Sequence, residues 1–197
     1  MSRLIETIRV LDGQFYNLGY HQQRVTRAFR ELHKPGDPFD IFKELKSKAP
    51  KNGLYKCRLI YDTNIENITF TPYVMREVKS LKMIGHDTIE YDHKFEDRNV
   101  LNEVFDRRDK CDDVLIIKDG MVTDATYSNI IFRKKSEWFT PASCLLQGTM
   151  RQNLIDSGKL RVVEIKAVHI SDFEKFKLIN SMLLDQAPET DVSKIIR

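Results

Sequence analysis

The sequence predicts an α+β fold, and three observations carry that expectation. Strand-like stretches come in adjacent pairs joined by polar turns. Helices are interspersed between the pairs and do not follow each strand in turn. Neither a G-x-G-x-x-G run nor a Walker loop is present. A regular alternation of single strands and helices would instead indicate a doubly wound parallel sheet.

Leu4–Leu11 (LIETIRVL) alternates apolar and polar residues and reads as a strand. Asp12-Gly13 then turns the chain into a second strand at 14–18, a hairpin signature. From 20 to 32 the apolar residues Val25, Ala28, Phe29 and Leu32 keep helical spacing, and Pro35-Gly36 ends the run. A second helix is expected at 38–48. Leu54–Tyr61 and 66–73 read as strands joined by the polar turn Asp62-Thr63-Asn64. The seam between two domains is expected at 73–82, giving a small N-terminal domain (1–80) and a larger C-terminal one (81–197). The second half opens with a helix at 100–107. Asp119-Gly120 joins strands at 114–118 and 121–124, and short strands follow at 130–133 and 137–140. A helix at 148–155 and a strand at 161–165 complete the pattern.

Hydrophobic residues make up 41% of the chain and charged residues 31%, the balance of an ordinary globular protein with a real core. The net charge of +3 is spread among acids without a basic block, which argues for small anionic ligands and against nucleic acid. No stretch is long and apolar enough to cross a bilayer, and MSRLIETIRVLDG carries charges where a signal peptide needs an apolar core. Three cysteines (Cys57, Cys111, Cys144) at unrelated spacings fit neither a disulfide framework nor a zinc site. The expected location is the cytoplasm.

Several short motifs occur in a fixed order: Glu6-Thr7-Ile8-Arg9 before Asp12-Gly13; His21-x-x-Arg24; Lys94 in DHKFEDR, just ahead of a helix; Asp124 before Tyr127-Ser128-Asn129-Ile130-Ile131-Phe132; Thr140-Pro141; Leu146-x-Gly148-Thr149-Met150-Arg151; and Asn180-Ser181. Taken singly, each has a bland reading. Lys94 is then a solvated lysine, Arg24 an exposed helix arginine, Asp124 a turn residue and Thr149 an ordinary helix cap. Trp138 and Phe139 read as core or interface aromatics, and His86 and His93 lack metal-ligand spacing.

In its order, the set resembles the class-IV aminotransferases, the fold-type IV enzymes that use pyridoxal 5'-phosphate (PLP), over nearly the whole chain. Within that family the Lys94-Phe95-Glu96-Asp97-Arg98 segment is most similar to the K-x-x-N-R of the 4-amino-4-deoxychorismate lyases. The resemblance implies two α+β domains with the cofactor in the cleft between them, a homodimer, and a small amino-acid-like substrate. It assigns Lys94 as the lysine that carries the cofactor and shuttles the proton. Asp124, where the family usually has glutamate, stands at the ring nitrogen. Arg24, Gly148, Thr149, Met150 and Ser181 are placed at the phosphate, where an arginine fork and backbone N–H groups at a helix start suit that anion. Thr7 is assigned to proton transfer and Arg9 to a substrate carboxylate; both share one strand face, and a strand face with one salt-bridged arginine is an equal alternative. The implied reaction is elimination of pyruvate to give 4-aminobenzoate. An aminotransferase on the same scaffold and a non-catalytic relative stay open beside it.

Overall fold

The computed structural model describes residues 3–46 and 48–197. They form two compact units, one running to Met75 and taking in His93–Asp97, the other comprising Arg76–Asp92 and Arg98–Arg197. Helices and strands are mixed in the first and in the second, an α+β class as the paired-strand pattern indicated.

The first unit holds β1 (Leu4–Leu11), β2 (Gln14–Phe15), α1 (Leu18–Glu31), α2 (Ile41–Leu45), β3 (Leu54–Tyr61) and β4 (Ile65–Pro72). Its sheet runs β2-β1-β3-β4 and is antiparallel throughout, with β1 paired along its length to β3, Leu4 opposite Tyr61 and Leu11 opposite Leu54. Because strand side chains alternate, Leu4, Glu6, Ile8 and Val10 share one face of β1. Leu4, Ile8 and Val10 pack with Val25, Ala28 and Phe29 of α1 and with Ile41 and Leu45 of α2. Glu6 therefore lies on the apolar face, and Thr7 and Arg9 on the other.

The second unit holds β5 (Leu81–Gly85), α3 (Asn99–Asp106), β6 (Asp113–Lys118), β7 (Met121–Ala125), β8 (Asn129–Lys134), β9 (Glu137–Pro141), α4 (Thr149–Asp156), β10 (Arg161–Val163), β11 (Lys175–Ile179), β12 (Thr190–Asp191) and β13 (Ile195–Ile196). Its sheet runs β10-β9-β8-β7-β6-β5-β13, with β11 branching from β8. One side of β8 is covered by β11 from Asn129 to Arg133. The other meets β7 only at Asn129, opposite Asp124, and β9 from Phe132 onward. The β7 contact is thus a single residue pair, and it involves a residue of the motif set.

Both Asp-Gly pairs make the two-residue turns expected of them. Asp12 and Gly13 have φ of 47° and 82°, Asp119 and Gly120 of 51° and 75°, the left-handed pair that matches the twist of a hairpin. The second strand ends at Phe15, short of the expected 18. Asn17 takes φ 57°, and its carbonyl accepts the N–H groups of Tyr20 and His21, so the helix begins at Leu18. The second helix is shorter than 38–48 because Asp40 caps it at Ile41, accepting from Phe42 N and Lys43 N at 2.8 and 3.2 Å. The strands β5 and β11 were not expected.

Phe132, fully buried among Leu115, Val122, Ile130 and Phe176, lies with its ring 5.2 Å from that of Phe173. Phe132→Ala should cost about 3–5 kcal/mol of unfolding free energy in chemical denaturation. A loss below about 1 kcal/mol would mean that this core is not packed as described.

Candidate active site

The nine residues singled out from the sequence fall into two groups, one in each unit. Thr7, Arg9, Arg24 and Lys94 belong to the first; Asp124, Gly148, Thr149, Met150 and Ser181 belong to the second.

In the first unit the centre is Glu6, fully buried on the core face of β1. A carboxylate there needs charge-assisted partners. Arg24 Nε donates to Oε1 at 2.8 Å, and Arg24 Nη2 and His21 Nδ1 both meet Oε2. Burial by itself would raise the Glu6 pKa, but the Arg24 guanidinium and then His21 outweigh it and hold it down at about 2. The His21 pKa is lowered, chiefly by burial, so the ring is neutral at neutral pH. Since the carboxylate only accepts, Nδ1 carries the imidazole proton. Arg24 is 8% exposed and its orientation is set by two bonds to Glu6.

Lys94 is held beside the start of β1 by its backbone. Its carbonyl accepts Ile5 N at 2.9 Å, Phe95 bridges to Leu4, and Glu96 N donates to Arg3 O at 2.8 Å. The Glu96 carboxylate also takes Arg3 Nε at 2.6 Å and Arg58 Nη2 at 3.1 Å. A segment without regular secondary structure is thereby pinned at the lysine and at the two residues after it. The charge of Lys94 reaches His21, whose pKa it helps to lower. On the opposite face of β1, Arg9 is buried, with its guanidinium 5.7 Å from the centroid of the Tyr16 ring, and Thr7 is half-buried.

In the second unit the centre is Asp124, buried at the end of β7. Asn129 Nδ2 donates to Oδ1 at 2.7 Å and Leu146 N to Oδ2 at 2.9 Å. Burial raises the Asp124 pKa from 3.8 to about 6, because these two neutral donors and the more remote charge of Arg151 only partly offset desolvation. Gly148 caps α4 in the extended region (φ −70°, ψ 145°), so Thr149 is the first helical residue and not the cap. Thr149 and Met150 are buried in the first turn. Arg151 anchors that turn, donating to Thr140 Oγ1 at 3.2 Å and to Pro141 O at 3.0 Å.

Ser181 lies just beyond Ile179, the register partner of Asn129. The neighbouring Asn180 folds back on the turn between β7 and β8, with Nδ2 donating to Ser128 Oγ at 2.9 Å and Oδ1 accepting Met182 N and Leu183 N. Asp124, Gly148 and the 180–181 turn therefore converge on one end of β8. Among the described residues no group of three His, Cys, Asp or Glu side chains is placed to hold a metal ion, and no helix is long and apolar enough to cross a membrane.

Glu6, His21 and Asn129 are the structurally central residues for which the sequence suggested no role. For Glu6 a signal existed: an acid in register with the apolar face of a strand has to find cations. Asn129 stood within the 127–132 motif, but nothing there pointed to what its side chain does.

The family described as "Amino-transferase class IV" matches residues 3–185 of the chain. An uncharacterised protein of Haemophilus influenzae is 34% identical over 185 residues, 92% of this chain and 98% of that protein. A crystal structure from Haemophilus somnus, of a protein provisionally named 4-amino-4-deoxychorismate lyase, superposes with a TM-score of 0.87 at 33% identity, covering 92% of this chain and 97% of that one. The aminodeoxychorismate lyase of Bacillus subtilis is 24% identical over 197 residues, 83% of this chain and 67% of that protein.

The raised pKa of Asp124 has a measurable consequence. The folded state holds this proton more tightly than the unfolded chain, so the associated stability is present below about pH 4 and is lost as pH rises through about 6. Relative to Asp124→Asn, the wild type should lose on the order of 2–3 kcal/mol between about pH 4 and pH 7. Denaturation curves of the two proteins that run parallel over that range would contradict the burial of an ionisable Asp124.

Proposed function

Because the chain belongs to the class IV aminotransferase family, which comprises PLP-dependent lyases and aminotransferases, we propose that it is a 4-amino-4-deoxychorismate lyase that releases pyruvate and leaves 4-aminobenzoate. The observation that carries the cofactor reading is the buried Asp124 carboxylate, fixed by Asn129 and Leu146 in the loop that leads directly into the first turn of α4. A ring-nitrogen partner and an anion-binding helix start are what a pyridine phosphate requires, and the loop that leads into α4 is hydrogen-bonded to the first of them through Leu146 N. The lyase reading is supported by the lyase-named relatives among the similar proteins and by the Lys94–Arg98 segment.

PLP, when bound, supplies an electron sink for the charge left when the substrate carbon bearing the amino group loses its proton. In this reading the Lys94 Nζ holds the cofactor and then takes that proton. Asp124, ionised above about pH 6, holds a proton at the ring nitrogen. Arg24 presents a guanidinium of fixed orientation to the phosphate, and the N–H groups of Thr149 and Met150 and the Ser181 hydroxyl complete its donors. Arg9 binds a substrate carboxylate, and the Thr7 hydroxyl delivers a proton to the leaving carbon.

Pyruvate and 4-aminobenzoate should appear in equal amounts when the PLP-loaded protein meets aminodeoxychorismate with no 2-oxo acid present. Lys94→Ala should lower that rate by at least about 100-fold. Turnover that depends on an added 2-oxo acid would identify an aminotransferase, and no turnover with either substrate set would leave a non-catalytic relative.

A further inference from the structure

We propose that Asn129 is a positioning residue whose amide clamps the Asp124 carboxylate to the 146–148 loop, so that these two parts of the site respond as one. Its Nδ2 makes two bonds at once, to Asp124 Oδ1 at 2.7 Å and to Leu146 O at 2.8 Å. Both partners are acceptors, which fixes the orientation of the amide. Leu146 closes the ring by donating its own N–H to the second Asp124 oxygen at 2.9 Å. The remaining amide atom, Oδ1, is directed at Gly148, where an added Cβ would overlap it. Gly148 has an extended backbone conformation that any residue adopts, so the glycine is required by this close approach and not by φ. Asp124 and Asn129 are also the only register pair between β7 and β8, so the clamp sits where the strands meet and Thr149 begins the helix one residue beyond.

The clamp has a chemical consequence. A hydrogen bond to the ionised form of a carboxylate favours that form. The groups facing Asp124 are Asn129 from β8, the backbone of Leu145 and Leu146 from the loop, and the guanidinium of Arg151 from α4. Asn129 is the one side chain that donates directly. Without it, burial is opposed by one donor fewer and the carboxyl keeps its proton to higher pH. The 146–148 loop loses its tie to β8 in the same step.

Only the cofactor arm of the test rests on the PLP reading. In cofactor-free protein the side-chain carboxyl of Asp124 is titrated by carbon NMR in wild type, Asn129→Ala, Gly148→Ala and the double variant. The wild-type midpoint near 6 should move up by about one pH unit in Asn129→Ala. Gly148→Ala should move it in the same direction, because the new methyl displaces Oδ1. In the Asn129→Ala background the methyl meets no amide and should add little, a non-additive cycle. PLP titrations should show at least about tenfold weaker binding in Asn129→Ala at neutral pH, with the ratio to wild type shrinking above pH 8 as Asp124 ionises.

A midpoint unchanged in Asn129→Ala, or strictly additive effects of the two substitutions, would overturn the clamp whatever the cofactor does. A shifted midpoint in a protein whose wild type fails to bind PLP would uphold the clamp and refute the PLP reading alone. If Asn129→Ala does not fold, Gly148→Ala reaches the same contact without altering a polar group, and a wild-type midpoint in that variant would equally overturn the proposal.

Discussion

A carboxylate buried in an apolar interior has to be given donors, and each compact unit of this protein is organised around one such group. Glu6 and Asp124 are both on strands and both removed from water, yet they meet opposite fates. Glu6 is met by a guanidinium fork and an imidazole N–H, and charge-assisted bonds outweigh its desolvation, so it stays ionised down to about pH 2. Asp124 is met by an amide and a backbone N–H. Neutral hydrogen bonds do not recover the cost of burying a charge, and its pKa settles at about 6. The first arrangement is a fixed scaffold that orients Arg24. The second leaves a group whose protonation changes close to neutral pH, which suits a partner that itself carries a proton.

Within each unit the candidate residues follow from where its acid sits. Glu6 draws His21 and Arg24 of α1 onto β1, and the same strand receives the Lys94 segment through Ile5 N and Arg3 O. Asp124 draws the 146–148 loop onto the end of β8, next to the Asn180-Ser181 turn. Thr7, Arg9 and Asp124 lie on strands and Arg24 within α1, whereas Lys94, Gly148, Thr149, Met150 and Ser181 lie in loops or a first helical turn that a neighbouring strand holds in register. That division of labour lets a loop residue be positioned without regular structure of its own.

Much of this was legible in the sequence, for identifiable reasons. The Asp-Gly turns were readable because a left-handed pair of residues leaves few choices, and β1 because an eight-residue alternation admits one face. The helix start at Leu18 was not, because it depends on Asn17 adopting a left-handed conformation that asparagine only sometimes takes. The strand β11 was missed because Lys175 and Lys177 break an apolar run that tertiary pairing with β8 then tolerates on one face. At the site, motif order picked out Asp124 and Gly148 without revealing why the glycine is needed. That reason is the Oδ1 of a residue nineteen positions earlier, a contact with no local signature in the sequence.

The claim on which the functional account turns is that one lysine, Lys94, carries the cofactor. It is tested most directly by incubating the protein with PLP, reducing with borohydride, and mapping the added phosphopyridoxyl mass by peptide mass spectrometry. The account predicts a stoichiometric label confined to the peptide that contains Lys94. A label spread thinly over surface lysines, or concentrated on another lysine, would contradict it.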